Sequence, residues 1–225
     1  MYMRFDRYIK SLLPGDLSNQ LSALFDELPL DVIDYKQTGF QSRYRSFSAY
    51  AFDNGTFVHS PQLIQYFNAQ KDFHTIHNAR PPAALSKATL SSGMIEKLLD
   101  VVLCYSPLKS AEEYIFGINL IRVRADDNHM GAPAPGFHQD GYDYSCHINI
   151  ARQNVSGGAS IIATRPDPKA VVIDCELQPG EFVFFNDRTL YHTASPVTPR
   201  YGGYETWRDM IIVDVIARSE AMITA

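Results

Sequence analysis

Apolar positions recur every three to four residues across 16–28 (DLSNQLSALFDEL), so that Leu17, Leu21, Leu24, Phe25 and Leu28 fall on one side of a helix. Asp16 or Ser18 stands where an N-cap is needed. The same spacing returns in 91–105 (SSGMIEKLLDVVLCY), behind Ser91 or Ser92 as cap, after Pro81-Pro82 has broken the chain. Between these two stretches lies 43–58 (RYRSFSAYAFDNGTFV), rich in aromatic and β-forming residues, with Asn54-Gly55 placed for a hairpin turn. From Tyr114 onward the texture is β throughout: YIFGINLIRVRA, YDYSCHINIA, ASIIAT, AVVIDCEL, EFVFFND, YHTASPV and WRDMIIVDVIA, parted by Gly, Pro, Asp and Asn. Short strands at such regular intervals predict a sandwich or barrel. The chain therefore reads as mostly β with N-terminal helices, a single domain over 1–225. Its helix-rich part (1–110) packs on a jelly-roll core (111–225) of the double-stranded β-helix, cupin-like kind.

Composition narrows the picture. With 225 residues, 45% hydrophobic and 20% charged, the chain can bury a core without disulfides or a structural metal, so a metal here would be functional. Twenty Lys and Arg against 25 Asp and Glu give a net charge of −5, which argues against nucleic acid as partner. Cys104, Cys146 and Cys175 are far apart and suit a reducing compartment. The opening MYMRFDRYIKSLLPGDL has no apolar run of signal-peptide length, and no stretch is long enough to span a membrane. The expectation is a cytoplasmic protein acting on a small-molecule substrate, away from membranes.

The chemistry sits in GFHQDGYDYS and LYHTASP. In an extended segment, side chains two apart share a face, so His138 and Asp140 can aim at one point while Gln139 turns away. His192, beyond the strand EFVFFND, can close the set from another strand. Two imidazoles and a carboxylate on one side of a metal leave positions open, as non-haem iron(II) oxygenases require. H-x-D with a distant His also occurs among surface polar residues, so the spacing alone leaves both readings open. Around it, Pro179-Gly180-Glu181 feeds the strand before His192, and Gly157-Gly158 ends the strand HINIARQN. Arg208 opens an apolar strand, sharing a face with Met210, Ile212 and Asp214, and a guanidinium there calls for an anion such as a carboxylate.

These residues resemble a known family. FHQDGYDYSCHINIARQNVSGGASII, PGEFVFFNDRTLYHTASPV and ETWRDMIIVDV make segment 117–214 similar to bacterial 2-oxoglutarate/Fe(II) dioxygenases that hydroxylate free amino acids, of the L-isoleucine 4-dioxygenase type. The resemblance implies that His138, Asp140 and His192 bind Fe(II). It implies that Arg208 receives the distal carboxylate of 2-oxoglutarate, and that O2 is the oxidant. SRYRSFSAY is similar to a further segment of those enzymes and puts Arg43 and Arg45 near the substrate, expected to be a free amino acid. Where such enzymes often carry a polar His-Gln pair, this chain has Asn119-Leu120 before Ile121-Arg122, a strand expected to shape the pocket.

Other residues carry lesser expectations. Arg200, in the turn-rich TPRYGGYE, is the rival of Arg208 but reads as a solvated loop residue. Arg122 and Arg124 share a face and read as a barrel-surface pair. His147 reads as a packed strand histidine, His129 as a loop residue near the metal motif, and Tyr142 as a wall of the pocket. His59, His74 and His77 have no acidic partner at ligand spacing. Asp140 as a ligand favours hydroxylation over halogenation, since it fills the position a halide would need. Two further readings stay open: a cupin-type metalloenzyme that does not use 2-oxoglutarate, and a non-catalytic small-molecule-binding module.

Overall fold

A computed structural model describes residues 8–31, 40–68, 83–131 and 136–221, leaving His74, His77, Pro81-Pro82, Pro133 and Pro135 outside the described residues. Strands β5 (Tyr114–Ala125) and β13 (Thr206–Ala217) pair antiparallel along their whole length at the centre of the main sheet. Beyond β13 lie β6 (Tyr144–Gln153), β10 (Glu181–Asn186) and β1 (Tyr8–Leu12). Beyond β5 come β2 (Arg43–Asp53) and β3 (Thr56–His59), with the two-residue β4 (Ala83–Ala84) parallel to β2. A smaller sheet faces this one, built from β11 (Tyr191–Ala194), β8 (Ser160–Ala163) and β9 (Val171–Cys175). A third, two-stranded ladder joins β7 (Val155–Gly157) to β12 (Val197–Pro199). This is the jelly roll expected from the strand pattern. No helix among the described residues is long and apolar enough to cross a membrane.

The main sheet has two unlike faces because its strands alternate. Phe116, Ile118 and Leu120 of β5, Cys146 and Ile148 of β6, Phe182 and Phe184 of β10, and Ile211, Val213 and Val215 of β13 form the outer core. The helices α1 (Leu17–Ser22) and α3 (Met94–Tyr105) close over that face through Leu21, Ile95, Leu98, Leu99 and Val102. The inner face looks toward the small sheet: Val183 and Phe185 meet Ile162 and Ile173 there. It also carries Asn119, Ser145, His147, Asn149, Arg208 and Asp214, all buried. Polar groups concentrated inside a barrel need partners or a ligand.

The N-terminal part departs from the helix-rich expectation. Four strands from it join the main sheet, and β1 was unforeseen: its residues YIKSL alternate half-buried and exposed, and only pairing with β10 makes them a strand. The helix over 16–28 shrinks to Leu17–Ser22 plus a tight turn over Ala23–Phe25. Pro29 lies just beyond, and its carbonyl is taken by the Arg45 amide, so the chain leaves the helix to run along β2. Asp16 holds the N-cap position but binds Asn19 Nδ2 instead of a helix amide. The second predicted helix starts at Met94 behind Gly93 (φ +66°), following the short α2 (Lys87–Ser91), while Ser92 Oγ accepts the Met94 amide. The hairpin turn is as expected, with Asn54 and Gly55 at φ +52° and +81°.

Candidate active site

His138 is not in a regular strand. It pairs with His192 of β11 through one isolated bridge, with amide–carbonyl bonds of 3.0 and 2.9 Å in the two directions. That pairing sets the two rings side by side, their centroids 4.3 Å apart. Two residues on, Asp140 returns to the same side: Oδ2 lies 3.4 Å from His192 Nε2, and Oδ1 lies 3.7 Å from His138 Nε2. One ligating atom from each of the three lies within 4.8 Å of the others, a cluster able to hold a metal ion. Gln139 faces away, its amide donating to the Asp187 carbonyl at 2.7 Å.

Each imidazole faces an oxygen with its other nitrogen. His138 Nδ1 is 3.1 Å from the Gly136 carbonyl, which a protonated Nδ1 satisfies, leaving Nε2 with a lone pair. His192 Nδ1 is 3.3 Å from Oδ1 of Asp187, a wholly buried carboxylate, an ion-pair contact that falls short of hydrogen-bond geometry. The other Asp187 oxygen accepts the amides of Gly141 (2.9 Å) and Tyr142 (3.2 Å), so one side chain ties the Asp140 loop to the His192 strand. Burial alone would push the Asp140 carboxyl up, but His192, with His138 and His147, holds it well below the ordinary carboxylate range. Burial likewise disfavours charged His192, yet Asp140 and Asp187 raise its pKa to about 10. Burial, then the nearby His192, keeps His147 neutral.

At one end of the inner face stands Arg208, 5% exposed. Its Nε donates to Asn149 Oδ1 at 3.1 Å, its Nη2 is buried without a partner, and no ion pair involves it among the described residues. Burial, then the like charge of Arg152, pulls its pKa down to about 9. A desolvated cation with an unfilled donor is a seat for an anion. A Cβ at Gly158 would lie 3.1 Å from Arg208 Cδ, so glycine there leaves the guanidinium room. The rival arginines lie elsewhere. Arg200 is exposed, and Arg122 is on the outer face, forked onto Asp209 at 2.7 Å and stacked 4.5 Å over Trp207.

At the other end, four inward residues form a chain. Arg45 donates to Asn119 Oδ1 through Nε (3.1 Å) and Nη2 (2.7 Å), Asn119 Nδ2 donates to Asp214 (3.2 Å), and Ser145 Oγ donates to Asp214 (2.9 Å). Burial, then Asp140, raises the Asp214 carboxyl well above its usual range, while burial and Arg43 lower Arg45 to about 10. Arg43 keeps a buried Nε without a partner. Tyr142 is buried against Phe67, ring centroids 5.5 Å apart. His129 is exposed, bound to Asp126 and stacked on Phe40, and His59 bonds Ser48 Oγ at 2.6 Å on the outer side. Asp187, Asn149 and Ser145 were missed from the sequence. Asp187 had one signal, the only acid in the turn before His192; the others had none beyond inward parity.

The comparisons agree with this geometry. No curated protein matches the chain. Among solved structures, IDO from Bacillus thuringiensis superposes with a TM-score of 0.71 at 16% identity, covering 95% of this chain and 91% of that one. A bsmA homologue from Methylobium petroleophilum PM1 gives 0.70 at 18% (90% and 82%), and the Fe(II)/(alpha)ketoglutarate-dependent dioxygenase TqaL gives 0.67 at 13% (94% and 83%). At such identities these show a shared fold. The model of the 2OG-Fe dioxygenase family matches residues 22–214, from α1 through Asp214, and with the His–Asp–His cluster it identifies the chain as a member of that family, an oxygenase using iron(II) and 2-oxoglutarate.

Proposed function

We propose that this enzyme hydroxylates the side chain of a free L-amino acid or a similarly small charged molecule. In this reading His138, Asp140 and His192 hold the iron, and Arg208 receives the far carboxylate of 2-oxoglutarate. Arg208 is the observation that carries the co-substrate assignment: a buried cation, an empty donor and no anion among the described residues. The donor set fits too, since two neutral imidazoles and a carboxylate suit iron(II) and leave sites for a bidentate co-substrate and O2. A cupin-type enzyme independent of 2-oxoglutarate would have no use for Arg208.

Bound iron with 2-oxoglutarate and O2 supplies the oxidation of an unactivated C–H bond, releasing succinate and carbon dioxide. The chain's own residues do the positioning. Asp187 sets a carboxylate 3.3 Å from His192 Nδ1 and holds the Asp140 loop through two amides. Phe185 and His147, with ring centroids 5.4 and 5.1 Å from that of His192, wall the ligand from water. Replacing Asp187 by Ala is expected to weaken iron binding about 10–100-fold, as loss of an outer partner does at other metal sites. Metal titration checks this, and an unchanged affinity refutes it.

For the substrate, the resemblance of segment 117–214 to amino-acid hydroxylases is joined by charges of both signs on the inner face. Arg43, with its unpartnered Nε, suits a substrate carboxylate better than Arg45, two of whose nitrogens already serve Asn119. Succinate release with iron(II) and ascorbate, screened across free L-amino acids, tests the substrate class. At least one amino acid should exceed the uncoupled background, and Arg43→Ala should raise its KM about tenfold by loss of a charge-assisted bond. Stimulation by a peptide, lipid or nucleoside alone would sink this reading.

A further inference from the structure

Arginine has only donors, so its contact with Asn149 settles which way that amide faces: Oδ1 toward Arg208 and Nδ2 away from it. That Nδ2 is buried and unpartnered, as is Nη2 of Arg208, and Asn149 is 0% exposed. The two residues sit on neighbouring strands, Asn149 opposite Met210 and Arg208 two places before it. Two dry, unfilled N–H donors thus lie on adjacent strands.

Among the described residues no carboxylate is paired with Arg208. β6 slips by one residue against β13 between Asp209 and Met210, so Asn149 and Arg152, three apart, both come to the inner face beside Arg208. Arg152 takes the nearest acid: its Nη2 bonds Glu176 at 3.0 Å and the Gly157 carbonyl at 2.5 Å. Glu176 also accepts the Gly157 amide at 2.8 Å. In the other direction along β6, His147 is the next inward residue, and its ring packs on that of His192. Asn149 therefore stands between the metal cluster and Arg208.

We infer that Asn149 donates directly, through Nδ2, to the same carboxylate that Arg208 receives, making a two-strand seat selective for 2-oxo acids with a second, far carboxylate. This rests on the assignment of Arg208 above. The competing account is that Asn149 acts only through Oδ1, as a support that orients Arg208.

A double-mutant cycle separates the two, read as binding of 2-oxoglutarate to the Mn(II)-loaded full chain by oxygen-free calorimetry, with no turnover. Asn149→Ala and the similarly sized Asn149→Leu should each raise Kd about tenfold, the worth of one hydrogen bond to a charged group. In an Arg208→Ala background, Asn149→Leu should still raise Kd about threefold or more. Binding of 2-oxobutyrate, which lacks the far carboxylate, should be the same with and without Asn149→Leu. No further loss in the Arg208→Ala background would overturn direct donation. So would Asn149 variants that bind like wild type, or an equal loss for 2-oxobutyrate. If Arg208→Ala itself binds 2-oxoglutarate normally, the assignment of Arg208 falls and the inference with it.

Discussion

Replacing His138, Asp140 or His192 by Ala is expected to abolish iron binding and reduce 2-oxoglutarate turnover to background while the fold persists. Each replacement removes one of three ligating atoms that lie within 4.8 Å of one another, and two ligands cannot hold a metal that must also bind co-substrate and O2. The fold should survive because the apolar cores do not run through these side chains: His138 and Asp140 are only half-buried, and the helices pack on the opposite face of the main sheet. Asp140→Ala has a second consequence. Without Asp140, His192 loses the partner that most strongly raises its pKa, so that pKa should fall. Iron content after anaerobic loading, with circular dichroism as control for folding, measures the outcome. Near-normal iron affinity in any of the three variants would defeat the ligand assignment.

Arg208→Ala is expected to raise the KM for 2-oxoglutarate by roughly thirtyfold or more, since a charge-assisted contact in a dry pocket is worth about 2–5 kcal/mol. The same residue should matter little, or even negatively, for the stability of the co-substrate-free fold. Its charge is buried without a counter-ion, and burial together with Arg152 already depresses its pKa to about 9. Arg208→Met keeps most of the volume and removes the charge, so its melting temperature without ligand should equal or exceed that of the wild type. The rise in melting temperature that 2-oxoglutarate gives the wild type should vanish in this variant. A variant with wild-type KM would remove Arg208 from the co-substrate site. A large loss of stability in Arg208→Met would make the residue a structural one.

Much of this site lies open in the primary structure because its signals are short-range. His138 and Asp140 are two apart and stay on one side even though the segment makes a single bridge rather than a ladder, since any extended backbone alternates. Arg208, Met210, Ile212 and Asp214 share a face for the same reason, and the β13 register keeps that parity along the strand. Glycine and asparagine mark the hairpin at 54–55 because few other residues accept φ > 0. The helices were legible in kind but not in extent, because their ends depend on where Pro29 and Gly93 send the chain.

What tertiary structure alone decided is which inward side chains meet. Asp187 ties His192 to the Asp140 loop only because the turn after β10 folds against that loop, an encounter between distant segments that no local pattern encodes. The slip in β6 brings Arg152 to the face of Arg208, where strict alternation from Asn149 would put Ala151. Arg45 is linked to Asp214 through Asn119 across three strands, β2, β5 and β13, that lie side by side in the sheet although they are far apart in the chain. Period and residue type therefore determined most of the strands, the candidate ligand types and the inward parity of this protein. The partners of each buried polar group were set by register and sheet order, which arise from contacts between residues tens of positions apart.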